Sequence, residues 1–160
     1  MSDSLAIRQT IHTDDLQWCA ELMASLDPWL TFGRDVVQSR QALDNPLGEV
    51  WLAVRGEERL GFALLIMQGA FVGYVQSLAL APDFQGQGVG SRLLAAVEER
   101  VFTEYPNVFI CASSFNPRAR ELYRRLGYRD VGTLTDYIVV GHDEHLLRKS
   151  RGPKSGYLSR

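Results

Sequence analysis

Residues 83–94 read DFQGQGVGSRLL, and this stretch decides which fold the sequence encodes. Gly86, Gly88 and Gly90 alternate with larger residues, and apolar residues then recur at helical spacing. Glycine tolerates positive φ and allows a backbone to approach a ligand closely. Because the first N–H groups of a helix lack partners within it, a glycine-rich turn that opens a helix is typical of an anion site. The stretch therefore predicts a phosphate-binding turn.

Two other phosphate-binding motifs do not fit this chain. A Walker loop ends in Gly-Lys followed by Ser or Thr, and the sequence contains no Gly-Lys pair. A dinucleotide fingerprint that starts at Gly86 requires a third glycine at the position of Ser91. Its acidic residue should end a second strand, but the nearest candidate, Glu104, lies near a predicted helix end. The sequence therefore argues against a nucleoside triphosphatase and against a dinucleotide-binding enzyme.

Hydrophobic periodicity and turn residues predict the element order β-α-α-β-β-β-α-β-α-β-β. The predicted strands cover 5–11, 49–55, 59–67, 74–80, 107–113, 128–134 and 137–149. The first predicted helix has Thr13 as its N-cap and ends at Asp27-Pro28, and the second covers 35–43. The third follows the glycine turn, and the fourth runs from Asn116-Pro117 to Gly127. The fold class is therefore α/β (α+β), with helices flanking a mixed, mostly antiparallel sheet. The strand–helix–strand unit through the glycine turn should be parallel and right-handed. We expect a single domain over 1–149 and a polar, basic tail over 150–160.

Composition narrows the class of protein. The net charge of −2, without clustered Lys and Arg, argues against nucleic acid binding. The sequence contains neither a signal peptide nor a membrane-spanning apolar run, so we expect a cytoplasmic protein that does not bind membranes. The two cysteines form no disulfide framework. His12, His142 and His145 show no metal-ligand spacing beyond the H-x-x-H of 142–145 in a predicted strand, so we expect no metal.

The glycine turn resembles a known coenzyme-binding motif. Residues 85–90, QGQGVG, match the pattern Arg or Gln, two residues, Gly, one residue, then Gly or Ala. This pattern is the pyrophosphate-binding motif of the GCN5-related N-acetyltransferases. Residues 78–84 resemble the strand and proline turn before that motif, and 116–128, NPRARELYRRLGY, resemble the second family signature, N-x-x-A-x-x-L-Y-x-x-x-G followed by Phe or Tyr. With both signatures in the right order, the chain is identified as a member of this family.

The resemblance implies an acetyl-coenzyme A site between two parallel strands, 74–80 and 107–113, that splay apart. The pantetheine arm would be held by main-chain groups of the first strand, like an added strand. Tyr123 is the implied proton donor to the coenzyme A sulfur, and the N–H of Leu78 is the implied oxyanion donor. The implied cofactor-binding residues are Leu78, Ala79, Leu80, Gln85, Gly86, Gln87, Gly88, Val89, Gly90, Ser91, Asn116, Ala119 and Tyr123. The residues alone also allow another interpretation of each: Tyr123 could pack on the inner face of its helix, and Asn116 could cap the start of that helix.

The acceptor amine is expected on the other side of the thioester. In the family this pocket is built by the first two helices, their loop and the C-terminal hairpin. The expected acceptor-binding residues here are Asp27, Trp29, Phe32 and Tyr74. The alternative is that the aromatic residues of the loop anchor the helix pair in the core.

The sequence does not identify the general base. Many relatives carry Glu or Asp on one of the two splayed strands, but 74–77 reads YVQS and 110–113 reads ICAS. The base is therefore a chain of water molecules or an acid from another segment. The candidate acids are Asp27, Glu49, Asp136 and Glu144. Cys111 is expected to be a small buried hydrophobe and not a nucleophile.

Two functions stay open at this level. The first is an N-acetyltransferase that moves the acetyl group of acetyl-coenzyme A to a primary amine by direct attack in a ternary complex. Its acceptor is a small amine metabolite or a peptide or protein amine. The second is a non-catalytic acyl-coenzyme A-binding sensor or partner-binding module, which the missing strand carboxylate keeps open. Pairing through the C-terminal strands would give a homodimer.

Overall fold

The computed structural model describes residues 4–159, which form a seven-stranded sheet in the order β1-β2-β3-β4-β5-β7-β6. The strands are β1 (Leu5–Thr10), β2 (Gly48–Arg55), β3 (Glu58–Ile66), β4 (Tyr74–Leu80), β5 (Asn107–Ser113), β6 (Arg129–Leu134) and β7 (Glu144–Ser150). The helices are α1 (Thr13–Ala24), α2 (Val36–Leu43), α3 (Val89–Phe102) and α4 (Pro117–Arg125), with 3₁₀ turns at Pro82–Phe84 and Tyr157–Ser159. Neighbouring strands are antiparallel except β4 and β5, which are parallel. The predicted element order and fold class are confirmed.

Two predicted boundaries were wrong. The N-cap of α1 is His12 and not Thr13, which is the first helical residue. The last strand begins at Glu144 and not at 137. The chain turns instead, because Asp136 (φ +51°) and Gly141 (φ +88°) have positive φ and the Gly141 N–H donates to Asp136 Oδ1 at 2.6 Å. The segment between β6 and β7 is therefore a loop.

Helices cover both faces of the sheet. The side chains that the spacing predicts to be buried on α3 are fully buried in the core on one face, which α4 shares: Leu93, Leu94, Val97 and Val101. The helices α1 and α2 pack on the other face around Cys19, Met23 and Phe62. The sheet is thus the middle of three layers, each helix burying one apolar stripe. Among the described residues, no helix is long and apolar enough to cross a membrane.

The two parallel strands separate soon after they begin. Pairing of β4 with β5 is confined to Tyr74 with Phe109 and Val75 with Ile110. On its other side, β4 has a register shift against β3 that leaves Gln76 as an extra residue. A bulge of this kind bends the strand that contains it. A gap therefore opens between β4 and β5 beyond Val75, as the family resemblance implies.

An ion-pair cluster anchors α1 to the sheet. Asp15, which is 3% exposed, accepts hydrogen bonds from Thr10 Oγ1 at 2.7 Å, Arg59 Nε at 2.8 Å and Arg8 at 2.9 Å. Burial raises the pKa of this carboxyl, but the three hydrogen bonds outweigh burial and lower the pKa to about 2. The cluster therefore connects the first helix to β1 and β3.

The segment after β7 packs near the end of α3. The Arg151 N–H donates to the carbonyl of Pro106 at 2.8 Å, and the Arg151 guanidinium lies 4.0 Å from the centroid of the Phe102 ring. The Tyr157 hydroxyl donates to the carbonyl of Phe102 at 2.8 Å. The domain boundary at residue 149 and the homodimer stay predictions.

Candidate active site

The glycine turn positions free N–H groups at the start of α3. Gly86 (φ +73°) and Gly88 (φ +79°), the N-cap of α3, both have left-handed backbone conformations. A Cβ at either position would meet nothing within 4 Å, so the backbone conformation and not crowding requires glycine. The first helical hydrogen bond here runs from Arg92 N–H to the Gly88 carbonyl. The preceding N–H groups of 89–91 therefore lack helical acceptors and are available to an anion.

Neighbouring side chains stabilise this turn. Gln85 Nε2 donates to the Leu80 carbonyl at 3.3 Å, and Gln87 Nε2 donates to the Asp83 carbonyl at 2.7 Å. Val89 is 1% exposed because its side chain packs in the core. Only the main-chain N–H of this residue is therefore available to a ligand. A Cβ on Gly90 would lie 3.2 Å from Leu80 Cδ1, which shows how closely α3 approaches β4.

A cavity of about 550 Å³ joins the glycine turn to the gap beside β4. Its size is that of a small-molecule site. Most of the predicted cofactor-binding residues line it: Leu78, Ala79, Leu80, Gln85, Gly86, Gly88, Gly90, Ser91, Asn116, Ala119 and Tyr123. Gln87 and Val89 do not line it. The arginines Arg118 and Arg125 lie on the α4 side of the same cavity, which we call the coenzyme cavity.

A second cavity of about 690 Å³ lies on the other side of the strand gap. All four predicted acceptor-binding residues line it: Asp27, Trp29, Phe32 and Tyr74. The carboxyl end of β5, the loop after β6 and Glu144 complete its wall. The two cavities share six lining residues: Asp27, Trp29, Leu78, Asn116, Ala119 and Tyr123. Two ligands can therefore meet beside Leu78 and Tyr123 from opposite sides, and we call the second space the acceptor cavity.

Tyr123 lies where the two cavities meet. Its helix, α4, begins at Asn116, whose side-chain oxygen accepts the Ala119 N–H at 3.2 Å. The helix-cap reading of Asn116 is therefore correct, and contact with coenzyme A stays a prediction. Tyr123 is 6% exposed, and burial raises the pKa of its hydroxyl. The phenol is therefore protonated at neutral pH and can act as a proton donor.

The sequence profile of the Acetyltransferase (GNAT) family matches residues 12–128. The chain belongs to this family. The N-alpha-acetyltransferase RimI of Mycobacterium tuberculosis is 31% identical over 151 residues, which cover 88% of this chain and 90% of RimI. The chain is therefore an acetyl-coenzyme A-dependent N-acetyltransferase, as the sequence predicts. The comparison favours this activity over a non-catalytic sensor.

Two solved structures of family members share the fold. The ribosomal-protein-S18-alanine N-acetyltransferase of Escherichia coli superposes with a TM-score of 0.74 at 17% identity and covers 95% of this chain and 98% of its own. A GNAT family acetyltransferase from Elizabethkingia anophelis with acetyl-coenzyme A bound has a TM-score of 0.69 at 22% identity, covering 92% and 99%. Both matches extend over nearly the entire chain and show that the fold is shared.

The four candidate bases differ in whether they line the acceptor cavity. Glu49 lies outside both cavities and pairs with Arg100 at 2.8 Å. Asp136 binds the Gly141 N–H within the loop after β6 and does not line either cavity. Asp27 and Glu144 line the acceptor cavity. Two of the four candidates are therefore placed where an acceptor amine can reach them.

Tyr74 and Cys111 both line the acceptor cavity. Cys111 is only half-buried, so the expectation of a buried hydrophobe was wrong for this residue, because its strand borders the cavity. Burial still raises the pKa of the Tyr74 hydroxyl and of the Cys111 thiol. A cysteine is nucleophilic as the thiolate, and a raised pKa reduces the thiolate fraction at neutral pH. The geometry therefore gives no support to an acyl-enzyme at Cys111.

The sequence missed several residues that line the acceptor cavity. Ser77 on β4 has a buried hydroxyl without a hydrogen-bond partner among residues 4–159. Tyr137 and Ile138 are exposed on the loop after β6 and form an apolar rim. Because Tyr137 and Ile138 are apolar, the sequence predicted a strand here. The turn at Asp136 is the feature that would have indicated a loop instead. Ser77 had no such signal, because its environment depends on the bulge in β4.

Proposed function

We propose that this enzyme transfers the acetyl group directly from acetyl-coenzyme A to the α-amine at the N-terminus of a peptide, within a ternary complex. The observation that carries the proposal is the meeting of the two cavities beside Leu78 and Tyr123. The thioester reaches this point from the coenzyme cavity and the amine reaches it from the acceptor cavity. Direct attack then requires no covalent enzyme intermediate and no metal.

The coenzyme would be held mainly by main-chain groups. The N–H groups of 89–91 receive the pyrophosphate, since these groups and the dipole of α3 favour an anion. Beyond Val75, β4 no longer pairs with β5, so its main-chain groups on that side are free to bind the pantetheine arm. We assign the N–H of Leu78 to the developing oxyanion, where a preorganised donor is most effective.

Tyr123 would supply the proton that the leaving group needs. Attack by the amine forms the C–N bond, and the C–S bond breaks as the tetrahedral intermediate collapses. The Tyr123 hydroxyl then donates its proton to the coenzyme A thiolate and regains one from solvent in the cavity. Its raised pKa keeps the phenol protonated until that moment.

A peptide is the acceptor that the cavity and the relatives favour. The rim of the acceptor cavity is formed by Tyr137 and Ile138, which are 62% and 45% exposed, while the buried Trp29 and the half-buried Phe32 line its wall. An open apolar rim around a polar interior suits the end of a chain that continues outward. RimI is named an N-alpha-acetyltransferase, and the Escherichia coli structure is named a ribosomal-protein-S18-alanine N-acetyltransferase. We place the reaction in the cytoplasm, where acetyl-coenzyme A is available.

The test is a panel of amines with free thiol release as the readout. The panel contains a peptide that begins with alanine, the same peptide with an acetylated N-terminus, a capped peptide with one internal lysine, and spermidine. We expect thiol release with the free peptide and none with its capped form. Turnover of spermidine or of the lysine peptide without turnover of the free N-terminus would refute the peptide acceptor.

A further inference from the structure

The two splayed strands carry no carboxylate, but β7 brings one to the same place. Glu144 is the first residue of β7 and pairs in register with Ser113, the last residue of β5. Glu144 is 4% exposed and lines the acceptor cavity. Its carboxylate is thus brought to the cavity by the pairing of β5 with β7, although β7 is not one of the strands that form the gap.

Hydrogen bonding leaves part of this carboxylate available. Ser113 Oγ donates to Glu144 Oε1 at 2.5 Å. Glu144 Oε2 makes no hydrogen bond within residues 4–159 and does not belong to their buried, unpartnered side-chain atoms, which are Ser39 Oγ, Ser77 Oγ and Asn107 Oδ1. This oxygen is therefore open to solvent or to a ligand in the cavity. The bond to Ser113 therefore holds the group in place while its second oxygen can face the acceptor.

The other cavity carboxylate is engaged differently. Asp27 is exposed, and its Oδ1 accepts both the N–H and the hydroxyl of Thr31, at 3.1 and 2.8 Å. These bonds stabilise the loop after α1. The Tyr74 phenol is no alternative base, because burial raises its pKa and keeps it protonated. Glu144 is therefore the buried carboxylate that the acceptor cavity offers to an amine.

We propose that Glu144 accepts a proton from the acceptor ammonium and so generates the neutral amine that attacks the thioester. This inference rests on the proposed function, since it requires an amine in the acceptor cavity. The acceptor nitrogen loses two protons overall. The first passes to Glu144, directly or through one solvent molecule, and then to bulk solvent. The second leaves after the C–N bond forms and balances, through solvent, the proton that Tyr123 gives to sulfur.

The electrostatic surroundings suit this role. Burial raises the pKa of Glu144, while the hydrogen bond from Ser113 and the nearby His145 lower it. A base with a raised pKa takes a proton from an ammonium more readily. The titratable or polar groups that face Glu144 are Tyr74 from β4, Cys111 and Ser113 from β5, Tyr137 from the loop after β6, and His145 from β7.

The first experiment compares Glu144→Gln with the wild-type enzyme across pH, using whichever amine of the panel turns over fastest. At neutral pH we expect kcat/KM to fall by about 10²-fold, the usual contribution of a general base. Well above the pKa of a peptide α-amine, about 8, the amine is already neutral and the variant should recover toward the wild-type rate. Affinity for acetyl-coenzyme A should not change. Glu49→Gln, the same substitution outside both cavities, is the matched control and should keep the wild-type pH profile.

Other outcomes would overturn the assignment. A Glu144→Gln enzyme with the wild-type rate and pH profile would refute it. A folded variant that binds acetyl-coenzyme A but stays equally slow at every pH would also refute it, because a purely positioning role predicts that pattern. If Glu144→Gln does not fold, Ser113→Ala decides: loss of the donor should move the acidic limb of kcat/KM to higher pH, and an unmoved limb would refute a base at Glu144.

Different results would refute the role of Glu144 and the peptide acceptor. A wild-type enzyme that acetylates spermidine but no peptide refutes the peptide acceptor and leaves Glu144 to be tested with spermidine. A wild-type enzyme that acetylates free peptides, with Glu144→Gln unaffected, refutes only the role of Glu144. A wild-type enzyme that is inactive with every amine of the panel refutes both.

Discussion

Replacing Asp15 by asparagine should destabilise the protein at neutral pH and have no effect in strong acid. Asp15 is buried in the first turn of α1 and binds Thr10, Arg8 and Arg59. Asparagine keeps the shape of the side chain and removes the charge that the two arginines neutralise. Those arginine side chains are 43% and 33% exposed, so they can be hydrated once the carboxylate is gone.

The lowered pKa sets the size of the effect. A pKa lowered from 3.8 to about 2 corresponds to about 2 kcal/mol of stabilisation of the folded state, at about 1.4 kcal/mol per pKa unit. The stabilisation is complete above the pKa of the unfolded chain, 3.8, and is lost as the pH falls through about 2. For a domain of this size, about 2 kcal/mol lowers Tm by roughly 4–8 °C.

The assay is urea unfolding followed by circular dichroism, at neutral pH and at the lowest pH where the protein stays folded. Asp14→Asn is the matched control, because this substitution removes the same charge at an exposed position one residue earlier. We expect that control to cost at most about 0.5 kcal/mol. A loss for Asp15→Asn no larger than for Asp14→Asn, or a loss independent of pH, would show that the ion-pair cluster does not stabilise α1.

Three further substitutions test the site. Tyr123→Phe should lower kcat by about 10²-fold with little change in acetyl-coenzyme A affinity, whereas Tyr128→Phe, which loses a hydrogen bond to Glu98, should lower Tm and spare kcat; equal kcat values for the two variants would contradict the proton-donor role. Gly86→Ala forces a side chain into a backbone at φ +73° and should weaken acetyl-coenzyme A binding, measured by calorimetry, by up to the strain of about 1–2 kcal/mol. Unchanged affinity would mean that the turn does not need this conformation. Cys111→Ala should retain turnover in the thiol-release assay, and an inactive variant that still binds acetyl-coenzyme A would restore the covalent mechanism.

The coenzyme side of the site could be predicted from the sequence because short segments of the chain set its geometry. Positive φ at Gly86 and Gly88 and the free N–H groups at the start of α3 depend on a few consecutive residues. The buried face of α3 follows from helical spacing alone. The position of Tyr123 follows from a signature within one short helix. Each of these features is determined within one short segment of the chain, so the pattern of residue types was sufficient to find it.

The acceptor side could be predicted only in part: the family resemblance pointed to Asp27, Trp29, Phe32 and Tyr74, which line the cavity, but not to the loop after β6 or to the base. Outside the site, the burial of Asp15 likewise depends on a distant residue, Arg59, 44 residues away. The loop after β6 was expected to be a strand because Tyr137 and Ile138 are apolar. Their exposure follows from the turn at Asp136 and from the cavity that the loop borders. Contacts between distant segments decided all of these positions.

The sequence by itself indicated an acetyl-coenzyme A-binding α/β domain through its resemblance to two family motifs, and both motifs could be found because a glycine turn and a helix signature carry their geometry locally. The tertiary structure alone decided which candidate acid is buried in the wall of the acceptor cavity. Glu144 stood among four candidates in the sequence, and the pairing of β5 with β7 brings it to Ser113, 31 residues away, and into the cavity. Strand register depends on the packing of the whole sheet, and a one-residue shift would turn that carboxylate to the opposite face.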